Sequence, residues 1–309
     1  MSGVAADPEA VIAVLDGLPA WPWAGLDITM SPIGGGLNNS NWRMQVARGE
    51  ELFLKLPGTG TDAYVDRDLA HAAARAAARA GVGPDVVYYD RISGVEVTEF
   101  LSGYRPLVAD ELTGTDVIHD VVALYRRLHA GPLLPGPART TMDEARAVID
   151  QVRTAGIRLA PWMERVITVW HEAEQSLVAS GYDVAPCHND PNFTNMMVRP
   201  GHPLQLVDYE FAANNDPTFE LSSLLCFYNF SDLTRAALLE EYHGRYELRH
   251  EARLRVCYVG MLVRMGLWAI EKAHATDPDY DYLKYGSVFF LEAVEYLRDP
   301  RWTSWVSSL

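Results

Sequence analysis

The hydrophobic and polar positions divide the chain into a first part of short strands and a longer part of helices. Between residues 28 and 56, short runs of alternating apolar and polar residues are separated by turn residues, which is typical of strands. An Ala- and Arg-rich helix is predicted over 64–80, and two further strand-like runs follow at 86–89 and 94–101. The pattern therefore predicts a small sheet of five strands that bears one helix.

After Gly103 the apolar positions recur at helical spacing. The helical period stops between residues 185 and 220, where loops alternate with short apolar runs at 195–198 and 204–207. Because loops on a rigid scaffold often bear functional side chains, we expect the chemistry in this interruption. We predict an α+β protein with an N-terminal domain at 1–102 and a mostly helical domain at 103–309. The predicted helices of the second domain are 116–130, 142–154, 161–180, 233–245, 251–274 and 281–298.

The net charge of the chain restricts the kinds of molecule that it is expected to bind. Its 309 residues include 41 acidic and 26 basic side chains, for a net charge of −15. A surface this negative repels nucleic acid and anionic lipid headgroups and attracts cations. We therefore expect a small-molecule partner, with no nucleic acid and no membrane. The oligomeric state stays open.

The cysteines and the apolar runs bear on the compartment. Three widely spaced cysteines without a Cys-x-x-Cys pair are typical of a reducing compartment. The first basic residue is Arg43, so the sequence lacks the basic start of a signal peptide. The apolar run at 256–270 is interrupted by Arg264 and is too short to span a membrane. These features predict a cytoplasmic location.

Polar residues flank the two apolar runs in the interruption. If the runs pair as an antiparallel hairpin, Asp190 and Asn195 before the first run come close to Asp208 after the second. Glu210 lies on the same side of the chain as Asp208, because side chains alternate along a strand. Such carboxylate and amide oxygens suit Mg²⁺. The alternative is that they are turn and strand-end residues on a solvated face.

This pattern resembles a known family. His188-Asn189-Asp190 with Asn195, followed by Asp208 in an apolar strand, is similar to the catalytic signature of aminoglycoside phosphotransferases and choline kinase-like enzymes. Further segments resemble the choline/ethanolamine kinase branch: Asp208-Tyr209-Glu210-Phe211, Asn214-Asn215-Asp216, Gly266-Leu267-Trp268-Ala269-Ile270, and Asp281-Tyr282 with Tyr285. The resemblance extends from about residue 33 to 297.

The resemblance implies a two-lobed, protein-kinase-like fold and an ATP- and Mg²⁺-dependent phosphotransferase. Asp190 is then expected to accept the proton of the substrate hydroxyl, with Asn195 and Asp208 as the ligands of Mg²⁺. His188 is expected to brace the loop rather than to react. The acceptor is expected to be a small amine-bearing alcohol, choline or a related amino alcohol. An aminoglycoside or another small metabolite is the alternative acceptor.

The same resemblance places the nucleotide in the first domain. Lys55, in the third predicted strand, is expected to contact the α- and β-phosphates, although a lysine that extends from a strand edge into solvent is the alternative. A glycine-rich turn is expected to cover the phosphates, and the hinge after the fifth strand is expected to meet adenine. The residues concerned are Gly35, Gly36, Asn38 and Ser40 in the turn, and Glu99 and Leu101 in the hinge.

The amine is expected among aromatic side chains, which attract ammonium groups by cation–π contact. The resemblance implies Trp268, Tyr282 and Tyr285 for this role, together with Glu210 and Phe211. Core packing between two helices is the alternative for the first three residues.

The sequence departs from the family pattern at three positions. Ala70 stands where the family has a helix Glu that pairs with the strand Lys. Met265 stands where choline kinases have the first of two tryptophans, and Glu220 where an Asp braces the catalytic loop. The first departure supports a second hypothesis, a nucleotide-binding pseudokinase that binds ATP without turning it over. A metal-dependent hydrolase built on His188, Asp190 and Asp208 is a third hypothesis.

Overall fold

A computed structural model describes residues 7–34, 39–47, 49–58, 60–61, 65–108, 111, 115–190, 192–226, 230–275 and 281–309. The chain forms two compact units. The first consists of Met1–Leu107 and Thr194–Ala212, and the second of Val108–Phe193 and Ala213–Leu309. The first unit thus ends at residue 107 rather than at the predicted 102. It also includes 194–212, which we predicted within the helical domain.

The first unit contains the predicted five-stranded antiparallel sheet. The strands are β1 (Ile28–Ile33), β2 (Asn39–Val46), β3 (Glu51–Pro57), β4 (Val86–Tyr89) and β5 (Glu96–Glu99). Their spatial order is β1-β2-β3-β5-β4, so β5 lies between β3 and β4. In the β3–β5 pair, Lys55 stands directly opposite Glu96.

Two helices accompany this sheet. Helix α1 (Pro8–Leu15) contributes Leu15 to a core that also contains Trp42 and Leu54. Helix α2 (Arg67–Arg79), whose Ala- and Arg-rich pattern predicted a helix, buries Ala73, Ala74 and Ala77. It begins after Asp66, whose side chain accepts a hydrogen bond from Leu69 N at 3.0 Å and so caps the helix.

A second, three-stranded sheet explains why 194–212 belongs to the first unit. Strand β8 (Met196–Val198) pairs with both β6 (Arg105–Pro106) and β9 (Gln205–Leu206). Leu206 N also donates to Val82 O at 2.7 Å. The β8–β9 hairpin is the pair of apolar runs predicted from the sequence.

The second unit is mostly helical, and all six helices predicted for it are present. Two short helices, α6 and α10, were not predicted. Strands β7 (Ala185–Cys187) and β10 (Ala213–Asn215) form a two-stranded antiparallel sheet beside the helices. The helices are α3 (Thr115–His129), α4 (Thr141–Thr154), α5 (Pro161–Ser180), α6 (Pro217–Ser223), α7 (Asp232–His243), α8 (Leu248–Ala275), α9 (Tyr282–Arg298) and α10 (Trp302–Val306).

Helix α8 is central to the packing of the second unit. Its 28 residues include fully buried side chains such as Tyr258 and Leu262. Within the described ranges, none of the helices has the length and apolar character that crossing a membrane requires.

Candidate active site

The ammonium group of Lys55 lies between two carboxylates of the first unit. Its Nζ atom is 2.8 Å from Asp208 Oδ1 and 3.2 Å from Glu210 Oε1. Burial by itself would lower the pKa of Lys55, but the negative charges of Asp208 and Glu210 outweigh it and raise the pKa. Lys55 is therefore a buried cation on a central strand, and it does not extend from a strand edge into solvent.

The β8–β9 hairpin positions the residues expected to bind a metal. Val207 N donates to Asn195 O at 3.0 Å, so Asn195 lies opposite the residue before Asp208. Asp208 has a φ of 67°, a left-handed conformation that Asp adopts more readily than most residues. Together with Glu210, these residues offer only amide and carboxylate oxygens, which is the donor set that suits Mg²⁺.

Glu210 lies beside Lys55 in the first unit. Its carboxylate is buried and accepts a hydrogen bond from Asn39 Nδ2 at 2.6 Å, at the start of β2. Glu210 and Phe211, which we expect beside the amine, both belong to the unit that contains Lys55. Glu210 thus joins the start of β2 to the hairpin that includes Asp208.

The phosphate-covering turn falls largely outside the described residues, which leave out Gly35, Gly36 and Asn38. Ser40 is described, and its Oγ accepts a hydrogen bond from Trp42 Nε1 at 2.9 Å. This contact occupies one lone pair of Ser40 and leaves its hydroxyl proton available as a donor.

The segment that contains Glu99 and Leu101 is fixed to β3. Between them, Phe100 N donates to Glu51 O at 3.1 Å, and the hydroxyl of Ser102 donates to Glu51 Oε2 at 2.5 Å. Hydrogen bonds from Ser102 and Arg43 lower the pKa of Glu51 to about 2. This end of the sheet is thereby ordered where we expect adenine to bind.

The loop with Asp190 is braced inside the second unit. Asn189, which precedes Asp190, has a φ of 64°. Its backbone N donates to Glu220 Oε1 at 2.7 Å, and its side-chain oxygen accepts from Asn215 Nδ2 at 2.9 Å. Asp190 is half-buried, and its Oδ1 accepts from Asn192 N at 2.9 Å. The loop is therefore braced at Asn189, directly before Asp190.

Glu220 is held by His129, which is held in turn by Tyr242, and the sequence analysis identified neither residue. Its Oε2 lies 2.7 Å from His129 Nε2, and His129 Nδ1 lies 2.7 Å from the hydroxyl of Tyr242. Cys187 is close to both His129 and Glu220, but burial raises the pKa of its thiol well above the usual value. The hydrogen bonds from Tyr242 through His129 to Glu220, and from Asn189 N to Glu220, make this cluster a brace for the loop. The sequence feature that could have identified His129 is its position one helical turn after Tyr125, on the apolar face of α3.

Aromatic side chains meet where α8 packs against α9. The rings of Trp268 and Tyr282 are 5.9 Å apart in an edge-to-face arrangement, and Tyr285 packs on Phe289 in the same way at 4.8 Å. Trp268 is 36% exposed, so it is not a core residue. The arrangement leaves part of an aromatic surface accessible to a cation.

Two glycines allow this close approach of α8 and α9. A Cβ atom built on Gly286 would lie 2.7 Å from the carbonyl oxygen of Gly266, and one built on Gly266 would lie 2.7 Å from the ring of Phe290. Neither position has room for a side chain. Gly266 precedes Trp268 by two residues, and Gly286 follows Tyr282 by one helical turn, so the crossing sets the spacing of the aromatic pair.

A five-stranded sheet accompanied by two helices, a lysine held between two carboxylates and an acidic hairpin are together typical of a protein-kinase-like phosphotransferase. The chain belongs to the phosphotransferase enzyme family, which it matches over residues 29–257. The predicted family and fold are thereby confirmed, and the protein is a small-molecule kinase.

Individual relatives are distant in sequence and close in fold. Protein LicA of Haemophilus influenzae is 23% identical over 72% of this chain, and the match spans 66% of LicA, slightly less than two thirds of its length. The crystal structure of a choline/ethanolamine kinase family protein from Mesorhizobium loti has a TM-score of 0.83 at 23% identity, covering 97% of this chain and 98% of that one. LicA in complex with AMP has a TM-score of 0.73 at 18% identity, covering 96% and 98%.

Proposed function

We propose that this protein transfers the γ-phosphate of ATP to the hydroxyl group of choline or a related amino alcohol. The observation that supports this most is the partly buried contact of Lys55 with Asp208 and Glu210, with Asn195 paired to the residue before Asp208. A buried cation next to an all-oxygen donor set is what binding of a metal–polyphosphate requires. One structural relative of similar fold was solved with AMP.

Each of these residues has a role on the nucleotide side. The Lys55 ammonium would bind the α- and β-phosphates as a point charge. Asn195 and Asp208 would hold Mg²⁺, which neutralises charge on the phosphates when it is bound. Before Mg²⁺ binds, Glu210 keeps Lys55 and Asn39 oriented through the contacts already described.

Asp190 would act on the acceptor alcohol. The hydroxyl oxygen forms a bond to the γ-phosphorus while the bond from that phosphorus to ADP breaks, and the hydroxyl proton passes to the Asp190 carboxylate. The Glu220 brace fixes Asn189 and thereby the direction in which Asp190 points. Positioning of this kind is the main contribution a protein makes to phosphoryl transfer.

The aromatic pair favours an ammonium-bearing acceptor. A cation over a good aromatic ring gains roughly 0.5–2 kcal/mol, and Trp268 is the best such ring. The net charge of −15 also attracts cations. A quaternary ammonium suits aromatic faces better than the strongly hydrated amines of an aminoglycoside, which is why we rank choline-like alcohols first.

The cysteines suit a reducing compartment such as the cytoplasm. Cys187 and Cys257 are both free and buried, so neither forms a disulfide. We propose that the protein acts there, where ATP is abundant.

The test combines an acceptor panel with one substitution. Purified protein with ATP, Mg²⁺ and a series of amino alcohols and aminoglycosides should phosphorylate an amino alcohol with the highest kcat/KM. Asp190→Asn should reduce kcat by at least about 10²-fold, as expected for loss of a general base. Asp183→Asn changes an exposed carboxylate earlier in the same segment and should leave kcat unchanged.

Three outcomes would contradict the proposal. Absence of phosphate transfer to every acceptor, with ATP still bound, would indicate a nucleotide-binding pseudokinase. Full activity of Asp190→Asn would show that another group accepts the proton. Hydrolysis without any requirement for ATP would favour the metal-dependent hydrolase instead.

A further inference from the structure

The two carboxylates that hold Lys55 are also placed to meet a metal. Asp208 is an expected Mg²⁺ ligand, and Glu210 lies two residues further along the same segment. Once a cation binds there, less of their negative charge remains for Lys55. By the family resemblance, Ala70 stands at the place of the helix Glu that pairs with the strand Lys, so we look for another carboxylate that could keep Lys55 in place in that state.

Glu96 is in position to do this. It stands directly opposite Lys55 in the antiparallel β3–β5 pair. Residues paired in this way project from the same face of the sheet with Cβ atoms about 4.5–5.5 Å apart. The charge of Glu96 is among those that raise the pKa of Lys55. Glu96 belongs to the sheet and not to the hairpin. Metal binding at Asp208 therefore leaves the negative charge of Glu96 available to Lys55.

Helix α2 fixes Glu96 through His71. The Nδ1 atom of His71 lies 3.0 Å from Glu96 Oε2, and both side chains are mostly buried. The imidazole stacks on the ring of Tyr89, with centroids 4.0 Å apart and planes 9° apart. Tyr89 is the β4 partner of Glu96, so the three side chains form one cluster across two strands and a helix.

We propose that Glu96, oriented by His71, is the positioning residue that keeps Lys55 directed at the phosphates when Asp208 and Glu210 are engaged with Mg²⁺. This inference rests on the proposed function, because it concerns the same nucleotide site. It assigns to a strand residue and a helix histidine the task of anchoring the phosphate-binding lysine. Neither residue touches the reacting atoms.

The experiment measures ADP binding by calorimetry with and without Mg²⁺. Glu96→Gln keeps the shape of the side chain and removes its charge. We expect its Kd for ADP to rise about tenfold with Mg²⁺, the size of one charge-assisted interaction, and less than twofold in EDTA, where Asp208 and Glu210 still hold Lys55. In turnover assays, the KM for ATP should rise while the KM for the acceptor alcohol stays unchanged.

Two variants of His71 provide a second, independent test of the inference. His71→Ala should weaken ADP–Mg²⁺ binding in the same direction as Glu96→Gln. His71→Asn should restore it, because the Asn amide donates from nearly the place of Nδ1. The matched control is Glu241→Gln, which alters the exposed His119–Glu241 pair on α3 and α7 and should change neither Kd.

The outcomes separate this inference from the proposed function. If Glu96→Gln binds ADP–Mg²⁺ as well as the wild type does, or loses equal affinity with and without Mg²⁺, Glu96 is not the positioning residue. If His71→Asn fails to restore what His71→Ala loses, His71 does not orient Glu96. If the wild-type protein turns over no acceptor but Glu96→Gln shows the Mg²⁺-dependent loss, the inference stands and the transfer activity does not.

Discussion

Substituting Gly286 by Ala tests whether the α8–α9 crossing sets the amine site. The new Cβ would lie 2.7 Å from the carbonyl oxygen of Gly266, about 0.7 Å (3.4 − 2.7) inside the shortest ordinary van der Waals contact of 3.4 Å. It would also lie 3.1 Å from Ile270 Cγ1. Because the obstacle is backbone, the helices must separate or bend by a similar amount.

The energetic cost follows from this crowding. Overpacking of this kind costs about 1–3 kcal/mol. The better helix propensity of Ala returns about 0.8–1 kcal/mol. The net loss of up to about 2 kcal/mol should lower Tm by roughly 2–4 °C for each kcal/mol.

The functional cost falls on the amine. Separation of α8 and α9 widens the 5.9 Å spacing of Trp268 and Tyr282. Loss of a cation–π contact worth about 0.5–2 kcal/mol corresponds to a KM for the amino alcohol about 2- to 30-fold higher. The KM for ATP should not change, since Lys55 and Asp208 belong to the other unit.

Steady-state kinetics and thermal melting together decide the matter. Gly260→Ala is the control, since it makes the same change on α8 against the side chains of Trp170 and Met142. Whatever its effect on Tm, it should leave the KM for the amine unchanged. A Gly286→Ala protein whose Tm equals or exceeds that of the wild type would refute the crowding, and one whose amine KM is unchanged would refute the link to the aromatic pair.

Two further substitutions test the second unit. Glu220→Ala leaves Asn189 N and His129 buried without the carboxylate that they contact. The free energy of unfolding, measured by urea denaturation, should fall by roughly 2–4 kcal/mol, and kcat should fall more than KM changes. An unchanged kcat would show that the brace does not orient the loop. His243, stacked on His250, has its pKa lowered to about 4 by burial and by that neighbour. The unfolded chain therefore binds the extra proton first, and stability should fall by up to about 1.4 kcal/mol per pH unit from pH 6.5 towards 4, then level off. His243→Gln should flatten this slope, and an identical slope in both proteins would place the acid sensitivity elsewhere.

The sequence predicted those parts of the structure that depend on local pattern. The bounds of α5 and β4 agree with the predicted segments because apolar periodicity and flanking Pro and Gly residues define them. The β8–β9 hairpin follows from two short apolar runs around a Pro-Gly turn. Lys55 and Asp208 were identified by resemblance, and their contact then depends on a hairpin that the pattern already contained.

Other features depend on arrangements that chain order does not contain. Lys55 faces Glu96 only because β5 inserts between β3 and β4. His129 reaches Glu220 from 91 residues away, which no local pattern encodes. Strand alternation predicted Glu210 on the side of Asp208, but β9 ends at Leu206 and Asp208 is left-handed. The contacts of Glu210 with Lys55 and Asn39 therefore arise in the segment after the strand, which the alternation does not describe.

The return of residues 194–212 to the first unit limits how the protein can be divided into fragments. Lys55 and its partner Asp208 are separated by 153 residues of sequence but share one unit. A truncated polypeptide that stops at residue 107 would retain the ammonium group and lose both carboxylates that compensate its burial. An independently expressed nucleotide-binding half therefore needs the hairpin grafted onto its C-terminus, because a simple cut after residue 107 leaves that hairpin in the other fragment.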